Sequence, residues 1–184
     1  VDTLAVASNI NGPWTGLGIS IFDTAVLGLA YGNGVWVAAG SHSSYNHSLA
    51  YSFDGSNWVG LGNSIFDNQG NSVVFNGTMF LAGGAGTTNT LAYSYDGINW
   101  TGLGTTYFPS YVNRVTWDTT VWTNYGNTKA VFWGMGASGN LGYSEDGITW
   151  VSGSFPTYTE IRGYAYKSLG SQTSSRLTVY GATN

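Results

Sequence analysis

One short motif recurs along the chain and restricts it to a repeat architecture. Its clearest form, Ser-Tyr-Asp-Gly-Ile-Asn-Trp-Thr-Gly-Leu-Gly, occupies residues 94–104, and close copies occupy residues 52–62 and 144–151. Residues 8–18 form a degenerate fourth copy, in which Asn11 precedes the glycine and no Asp is present. The tryptophans of successive copies are about 40 to 50 residues apart, which is typical of a chain built from repeated supersecondary units.

Each copy predicts a tight hairpin, because an Asp-Gly pair between alternating aromatic and polar residues is a strong turn signal. The Asp can accept hydrogen bonds from the following backbone amides, the glycine permits a positive φ, and the tryptophan can fold back over the turn. We therefore expect the residues that recur in all three full copies to have a structural role. They are Ser52, Asp54, Gly55, Trp58, Ser94, Asp96, Gly97, Trp100, Ser144, Asp146, Gly147 and Trp150.

These Ser-x-Asp-Gly-x-x-Trp units, hereafter the boxes, resemble the Asp-box (BNR or sialidase-type) repeats of β-propellers. The commoner spacing of that family is Ser-x-Asp-x-Gly-x-x-Trp, so the boxes of this chain have one residue fewer between Asp and Gly. In that family the box stabilises a turn away from the active site. The resemblance therefore implies an architecture and a non-catalytic member of the family.

Strand-sized segments between the boxes predict four strands per repeat, as in a propeller blade. Complete units cover residues 25–62, 71–104 and 112–153, while residues 161–184 and 1–18 each supply half a unit. We predict one all-β domain over residues 1–184: a four-bladed β-propeller of four-stranded antiparallel blades, closed by a composite blade from the N- and C-terminal strands. Closure would hide the exposed sheet edges. The alternatives are two chains that join into a larger ring, and a β-sandwich that contains repeats.

The segments that connect successive units each carry one phenylalanine. Because aromatic rings bury a large apolar area, a ring that recurs in every repeat is expected to plug the space between neighbouring units. The four rings are Phe22, Phe66, Phe108 and Phe155.

The composition argues against several classes of partner. Only 8% of the residues are charged, the formal net charge is −4, and Lys and Arg together number five. Such a chain lacks the basic surface that nucleic acid or an anionic membrane requires. It contains no cysteine, and no run approaches the roughly 20 apolar residues of a membrane span. We predict no nucleic-acid partner, no membrane insertion and no cofactor.

The loop of residues 41–48 is the candidate ligand site, because it departs most from its counterparts in the other repeats. It holds both histidines of the chain, and the four proposed contacts are His42, Tyr45, Asn46 and His47. A flat aromatic ring beside donors and acceptors suits a small polar ligand. The His-x4-His spacing could suit a metal, but no third ligand is near in sequence, so no metal site is predicted.

A sialidase-like glycoside hydrolase is the less favoured alternative. Arg114 and Arg162 fall on predicted innermost strands and Arg176 on a second strand, which resembles the arginine triad of sialidases. The Phe/Tyr-Arg-x-Pro element of that family is absent, however. Glu160 is the only glutamate besides Glu145, which lies inside a box. Two-carboxylate chemistry needs a second well-placed acid, and the remaining acids outside the boxes have no motif around them. These acids are Asp2, Asp23, Asp67 and Asp118. We therefore predict no enzyme and no catalytic residues.

The remaining function classes are non-enzymatic. The favoured prediction is a recognition or adhesion module that binds a neutral ligand such as a glycan, since low charge with exposed aromatic and amide groups suits sugars. The alternative is a structural surface protein of a virion, a fibre or a cell-surface assembly, with another surface protein as partner. Both predict an extracellular or virion-surface location. An aromatic group in the third unit could also serve a partner: Trp117, Trp122, Tyr125 and Trp133.

Overall fold

The computed structural model describes residues 2–43, 47–122, 128–154, 160–167 and 176–182, and the side chains of residues 2–43, 47–119 and 129–153. The described part is all β, and none of it is a helix long and apolar enough to cross a membrane. The strands are β1 (Ala5–Val6), β2 (Thr15–Gly16), β3 (Ala25–Gly32), β4 (Val35–Ser41), β5 (Leu49–Ser52), β6 (Val59–Gly60), β7 (Gln69–Phe75), β8 (Phe80–Ala85), β9 (Leu91–Ser94), β10 (Thr101–Gly102), β11 (Val112–Trp122), β12 (Thr128–Gly136), β13 (Asn140–Ser144), β14 (Val151–Ser154), β15 (Glu160–Lys167) and β16 (Arg176–Ala182).

Each complete unit is an antiparallel meander of four strands. The units are β3 to β6, β7 to β10 and β11 to β14, and in each one every strand pairs with the next along the chain. In the first unit, the turn between β3 and β4 places Asn33 at φ 52° and Gly34 at φ 79°. Two successive positive φ angles are what a type I′ hairpin turn requires, which explains the Asn-Gly pair at this point.

The boxes form the turns between the third and fourth strands. In the second unit, Asp96 Oδ1 accepts hydrogen bonds from Ser94 Oγ at 2.9 Å and from the N–H groups of Ile98 and Asn99 at 2.8 and 2.7 Å. The indole of Trp100 folds back, and its Nε1 donates to the carbonyl oxygen of Gly97 at 3.1 Å. The boxes of residues 52–58 and 144–150 repeat this set of bonds.

The phenylalanines of the connecting segments are at the centre of the core. Phe22, Phe66 and Phe108 are fully buried, as the plug interpretation predicts, while Phe155 lies outside the described residues. Each ring lies against a glycine near the end of a second strand, where an added Cβ would lie 2.7 Å or 2.6 Å from the first two rings and 3.0 Å from the third. These glycines are Gly40, Gly84 and Gly136. The missing side chains therefore make the space that the rings fill.

The predicted closed four-bladed propeller is wrong. The described strands form sheets of two, eight, four and two strands, and the eight-stranded sheet joins the first two complete units through one bridge between Ser41 and Gln69. The β1–β2 and β15–β16 pairs remain separate two-stranded sheets, so the predicted composite blade does not form. The arrangement is an open, curled one. Periodicity defines the strands of a unit but not the rotation between units, which depends on the close packing of their first strands.

One contact of that kind can be named. A Cβ added to Gly28 of β3 would lie 2.8 Å from Ser72 Cα in β7, so the two first strands touch backbone to backbone. The third unit has longer first and second strands than the other two units. The structure continues β11 to Trp122 and begins β12 at Thr128, with a register shift between Asp118 and Val121 that absorbs extra residues.

Candidate functional site

The first strands of the three complete units lie side by side and line one groove of about 710 Å³. β3 contributes Leu27 and Leu29, β7 contributes residues 71–74, and β11 contributes residues 113–117. The groove is therefore built by strands that are far apart in sequence, and each wall repeats the same element of the fold.

Every first strand is interrupted at the same point by one extra residue. The register shifts identify these bulge residues as Leu27 in β3, Asn71 in β7 and Asn113 in β11, and all three line the groove. β15 has the corresponding shift at Arg162. A bulge reorients a side chain relative to the regular pleat, and bulges often occur beside binding sites. The sequence does not mark these positions, because the four bulges have different neighbouring residues and none is signalled by a turn residue.

Side-chain hydrogen bonds connect β7 to β11 across the groove. Asn71 Nδ2 donates to the carbonyl oxygen of Val112 at 2.9 Å, and Gln69 Nε2 donates to Asn71 Oδ1 at 2.7 Å. The hydroxyl of Ser72 accepts from the N–H of Val115 at 3.3 Å and donates to its carbonyl oxygen at 3.4 Å. The polar wall is therefore held in a fixed arrangement, which favours recognition without a rearrangement on binding.

The charge of the groove is small and positive. Arg114 on β11 is exposed within it, and none of its described lining residues carries a carboxylate. An ion pair joins Lys129 and Glu145, at 2.8 Å, outside the groove. The described wall therefore has no pair of acids for glycoside hydrolysis, although it has amide, hydroxyl and guanidinium donors.

The predicted ligand loop is only partly described. Tyr45 and Asn46 lie outside the described residues, while His42 Nε2 is buried with no hydrogen-bond partner among the described atoms. His47 is in the described part, and its Nδ1 accepts a hydrogen bond from the N–H of Gly62 at 2.9 Å. The described residues contain no cluster of three or more potential metal ligands.

The repeat supplies a structural reason for His47. In the second unit, Asn89 Oδ1 accepts from the N–H of Gly104 at 2.9 Å, as His47 does from Gly62. A Cβ added to Gly60 would lie 2.5 Å from the His47 ring, and one added to Gly102 would clash with Asn89. Each glycine thus leaves room for a side chain that caps the end of the fourth strand.

The N-terminal half unit and the third unit show the same relation between the capping position and the facing position. Asp2 Oδ1 accepts from the N–H of Gly18 at 2.8 Å, and a Cβ on Gly16 would clash with it. In the third unit the sequence has Gly139 at the capping position, and Ser152 stands where the other units have glycine. A large capping side chain therefore occurs with a glycine, and a capping glycine with a larger residue.

We expect His47→Ala to lower the free energy of unfolding by about 1 kcal/mol, because the N–H of Gly62 loses its partner. His47→Asn should restore most of that loss, since asparagine performs the same role in the second unit. Urea unfolding of the two variants and the parent chain measures the difference. Equal stability of His47→Ala and the parent would show that this hydrogen bond does not contribute.

Two of the acids without a sequence motif also have structural contacts. Asp23 accepts from the N–H and hydroxyl of Ser43 at 2.6 and 2.8 Å, and Asp67 accepts from the same groups of Thr87. The hydroxyl of Thr87, followed by its backbone N–H, holds the pKa of the Asp67 carboxyl below its usual value. Both acids therefore fasten the loop after a second strand to the segment that precedes a first strand.

The box carboxyls are more acidic than usual. Hydrogen bonds from the backbone and side chain of Asn57 hold the pKa of Asp54 well below its usual range. Burial acts to raise the pKa of Asp96, but hydrogen bonds from the side chain and backbone of Asn99 outweigh it and keep that pKa well below its usual range as well. The pKa of Asp146 is also lowered, because the N–H groups of Thr149 and Ile148 outweigh the opposing effect of burial.

These lowered pKa values predict a loss of stability in acid. A carboxyl with a folded-state pKa below its unfolded value of about 3.9 stabilises the fold above that pH, and the contribution disappears as the pH falls toward the folded pKa. We expect the free energy of unfolding to be level between about pH 7 and pH 5 and to fall below about pH 4. Urea unfolding across this range tests it, and Asp96→Asn should flatten part of the slope. An unchanged slope in that variant would contradict the assignment to the box.

Two members of the aromatic group of the third unit pack against other rings, and one of them, Trp117, also lines the groove. The ring of Trp117 lies tilted against that of Phe132, with 4.6 Å between the centroids, and the centroid of Trp133 is 5.9 Å from that of Tyr143; Trp133 is 8% exposed. The side chains of Trp122 and Tyr125 lie outside the described ones. Two members of this group therefore contribute to the core of the sheet.

Comparison with known proteins gives a likeness of fold. No protein-family model matches the chain, and no curated protein matches it. The crystal structure of the computationally designed Ika8 protein is similar, with a TM-score of 0.51 and 11% sequence identity over 78% of this chain and 41% of that chain. At this identity the similarity concerns the fold alone. The chain spans less than half the length of the designed chain that it matches.

Proposed function

We propose that the chain is a non-enzymatic recognition module that binds a glycan in the groove between β3, β7 and β11. The observation that carries the proposal is a groove of about 710 Å³ whose described walls contain amides, hydroxyls and one guanidinium but no carboxylate. This volume is within the range of roughly 300 to 1,000 Å³ found for small-molecule sites.

The groove chemistry suits a sugar. Hydrogen bonds to β11 hold the side chains of Asn71 and Ser72 in place. The remaining hydrogen-bonding capacity of this amide and this hydroxyl is therefore offered to a ligand in a fixed geometry. Leu27 on the neighbouring strand β3 is 49% exposed and offers apolar contact to a sugar face. A neutral glycan should bind with little dependence on salt. Arg114 would add affinity for a glycan with a carboxylate, and that increment should fall as salt screens it.

The proposal is tested by a glycan array followed by calorimetric titration of the glycans that bind. We expect Leu27→Trp, which fills the groove, to weaken binding at least tenfold, and Val59→Trp on the outer strand β6 to leave it unchanged. A loop variant with Tyr45→Ala and His47→Asn should also bind normally. Loss of binding in the loop variant alone would move the site to residues 41–48, and no binding of any glycan by the parent chain would contradict a recognition role.

A structural surface protein is the second candidate, favoured by aromatic side chains near the box turns. Phe53 and Tyr95 are 65% and 55% exposed, and they make edge-on contacts with Tyr51 and Tyr93 at centroid distances of 5.5 and 5.7 Å. The repeated pair gives a regular apolar surface for packing into an assembly. We further propose that the boxes place the chain among Asp-box repeat proteins, and that it acts outside the cell or on a virion surface. Co-purification with particles, in place of glycan binding, would support the structural role.

A further inference from the structure

The first and last described strand pairs are complementary halves of one unit. Ala5 pairs with Gly16 as Ala50 pairs with Gly60, so β1 and β2 correspond to the third and fourth strands of a complete unit. β15 carries the bulge of a first strand, and β16 pairs with it as a second strand does. Among the described residues, β1 and β2 pair only with each other, and so do β15 and β16. Each half therefore lacks what the other half contains.

Exposure shows that β1 lacks a neighbour. Ala50 and Ala92 are fully buried in the third strands of their units, whereas Ala5, at the equivalent position of β1, is exposed. The box tryptophan of the third unit, Trp150, is 5% exposed, whereas Trp14 is 63% exposed. The same residue types at the same repeat positions are thus buried where the inner strands of the unit are present and exposed where they are absent.

The face of β3 that carries Leu29 and Tyr31 also lacks a neighbour. Leu29 is 49% exposed, whereas the residues at its position in the next two first strands, Val73 and Val115, are 7% and 3% exposed. Tyr31 of the same face is 55% exposed. In the second and third units this face packs against the second strand of the preceding unit, since Val73 clusters with Val37 of β4 and Val115 with Leu81 of β8. β1 and β2 are the third and fourth strands of the unit that precedes β3. The first and second strands of that unit would pair with the free edge of β1 and cover the free face of β3.

We propose that a second copy of this chain supplies those strands. β16 of one copy pairs with β1 of the partner copy, the β15–β16 pair covers Leu29 and Tyr31 of that partner, and the reciprocal contact closes a ring of two copies. Head-to-tail contacts close a ring when the rotation between copies permits it. This chain matches 41% of the Ika8 chain, so its described arc occupies less than half of a longer chain of similar fold. Each contact pairs two open sheet edges and covers the exposed apolar face of one β3.

The repeat also gives the register of the contact. Ala38 of β4 pairs with Ala50, and Gly134 of β12 pairs with Gly142, so these are equivalent contacts between second and third strands. Val179 pairs with Tyr164 as Gly134 pairs with Val115, which places Val179 at the same position of β16. Val179 of one copy is therefore expected opposite Ala5 of the partner copy.

Sedimentation equilibrium of the unmodified chain is the first test. We expect twice the chain mass of 19.5 kDa, and a monomer or any other assembly size would overturn the proposal. Leu29→Glu should shift the chain to monomers, because it places a charge in the contact. The matched control is Val59→Glu, which is at a 51% exposed position of β6 and should remain dimeric. Equal masses for these two variants would also overturn the assignment of the surface.

A disulfide test identifies the strands and distinguishes contacts within one chain from contacts between copies. The chain has no cysteine, so Ala5→Cys and Val179→Cys introduce the only thiols. Opposed strand positions are close enough for a disulfide. We expect the double variant, and an equal mixture of the two single variants, to form reducible dimers in a non-reducing gel, and each single variant to remain monomeric there. A disulfide within one chain, or none in either sample, would overturn the proposal.

Discussion

Phe108→Ala is expected to lower the free energy of unfolding by about 3 to 5 kcal/mol, the largest effect of any single replacement that we predict. The ring is fully buried, and its centroid lies 5.8 Å from that of Trp150 in an edge-on contact. Its surroundings include Gly134, Gly136 and Gly142, where an added Cβ would lie between 2.8 and 3.0 Å from the ring. Glycines have no side chains that could move into the cavity, so the site cannot collapse easily.

Urea unfolding of Phe108→Ala measures this effect, and Phe53→Ala is its matched control. Phe53 is 65% exposed, so its replacement should change the free energy of unfolding by about 0.5 kcal/mol or less. A loss below about 1 kcal/mol for Phe108→Ala would mean that the connecting segments do not anchor neighbouring units to each other.

Gly97→Ala is expected to lower the free energy of unfolding by about 2 to 5 kcal/mol, for two additive reasons. The φ of 75° disfavours any residue with a Cβ by about 1 to 2 kcal/mol. The new Cβ would also lie 2.8 Å from Val37 Cγ2 in the first unit and 3.2 Å from Phe80, and overpacking of this kind costs about 1 to 3 kcal/mol. The box of the second unit therefore docks directly on the first unit.

Gly104→Ala separates the two contributions. Gly104 has a φ of 74°, yet no atom lies within 4 Å of an added Cβ, so only the backbone effect applies. The difference between the two variants in urea unfolding should be about 1 to 3 kcal/mol. Equal losses would show that the contact between the Gly97 turn and Val37 relaxes without a penalty.

The strands of each unit could be predicted from the sequence, because their limits are set by local signals. The Asn33-Gly34 pair and the boxes determine where each strand ends, and the structure has the four strands of every complete unit close to the predicted positions. Whether the units of one chain close into a ring could not be predicted. It depends on the angle between units, and that angle is set by contacts such as Gly28 against Ser72, which are not visible in the spacing of the boxes.

The site was harder to predict than the fold. His47 stood out because the other repeats have no histidine, yet the same capping bond is made by Asn89 in the second unit. A change of residue type can thus conceal an unchanged role. The groove was missed for the opposite reason, since Leu27 and Asn71 have a common position on bulges that no sequence pattern marks.

The alternation between a capping side chain and a facing glycine affects how copies of this unit can diverge after duplication. Gly60 cannot become larger while His47 fills the space beside it. In the third unit both positions differ together, with Gly139 at the capping position and Ser152 at the facing position. Drift at these two positions should therefore proceed by compensating pairs. An array that combined the large cap of one unit with the serine of another would clash, whereas an array that takes both residues from the same parent unit would pack.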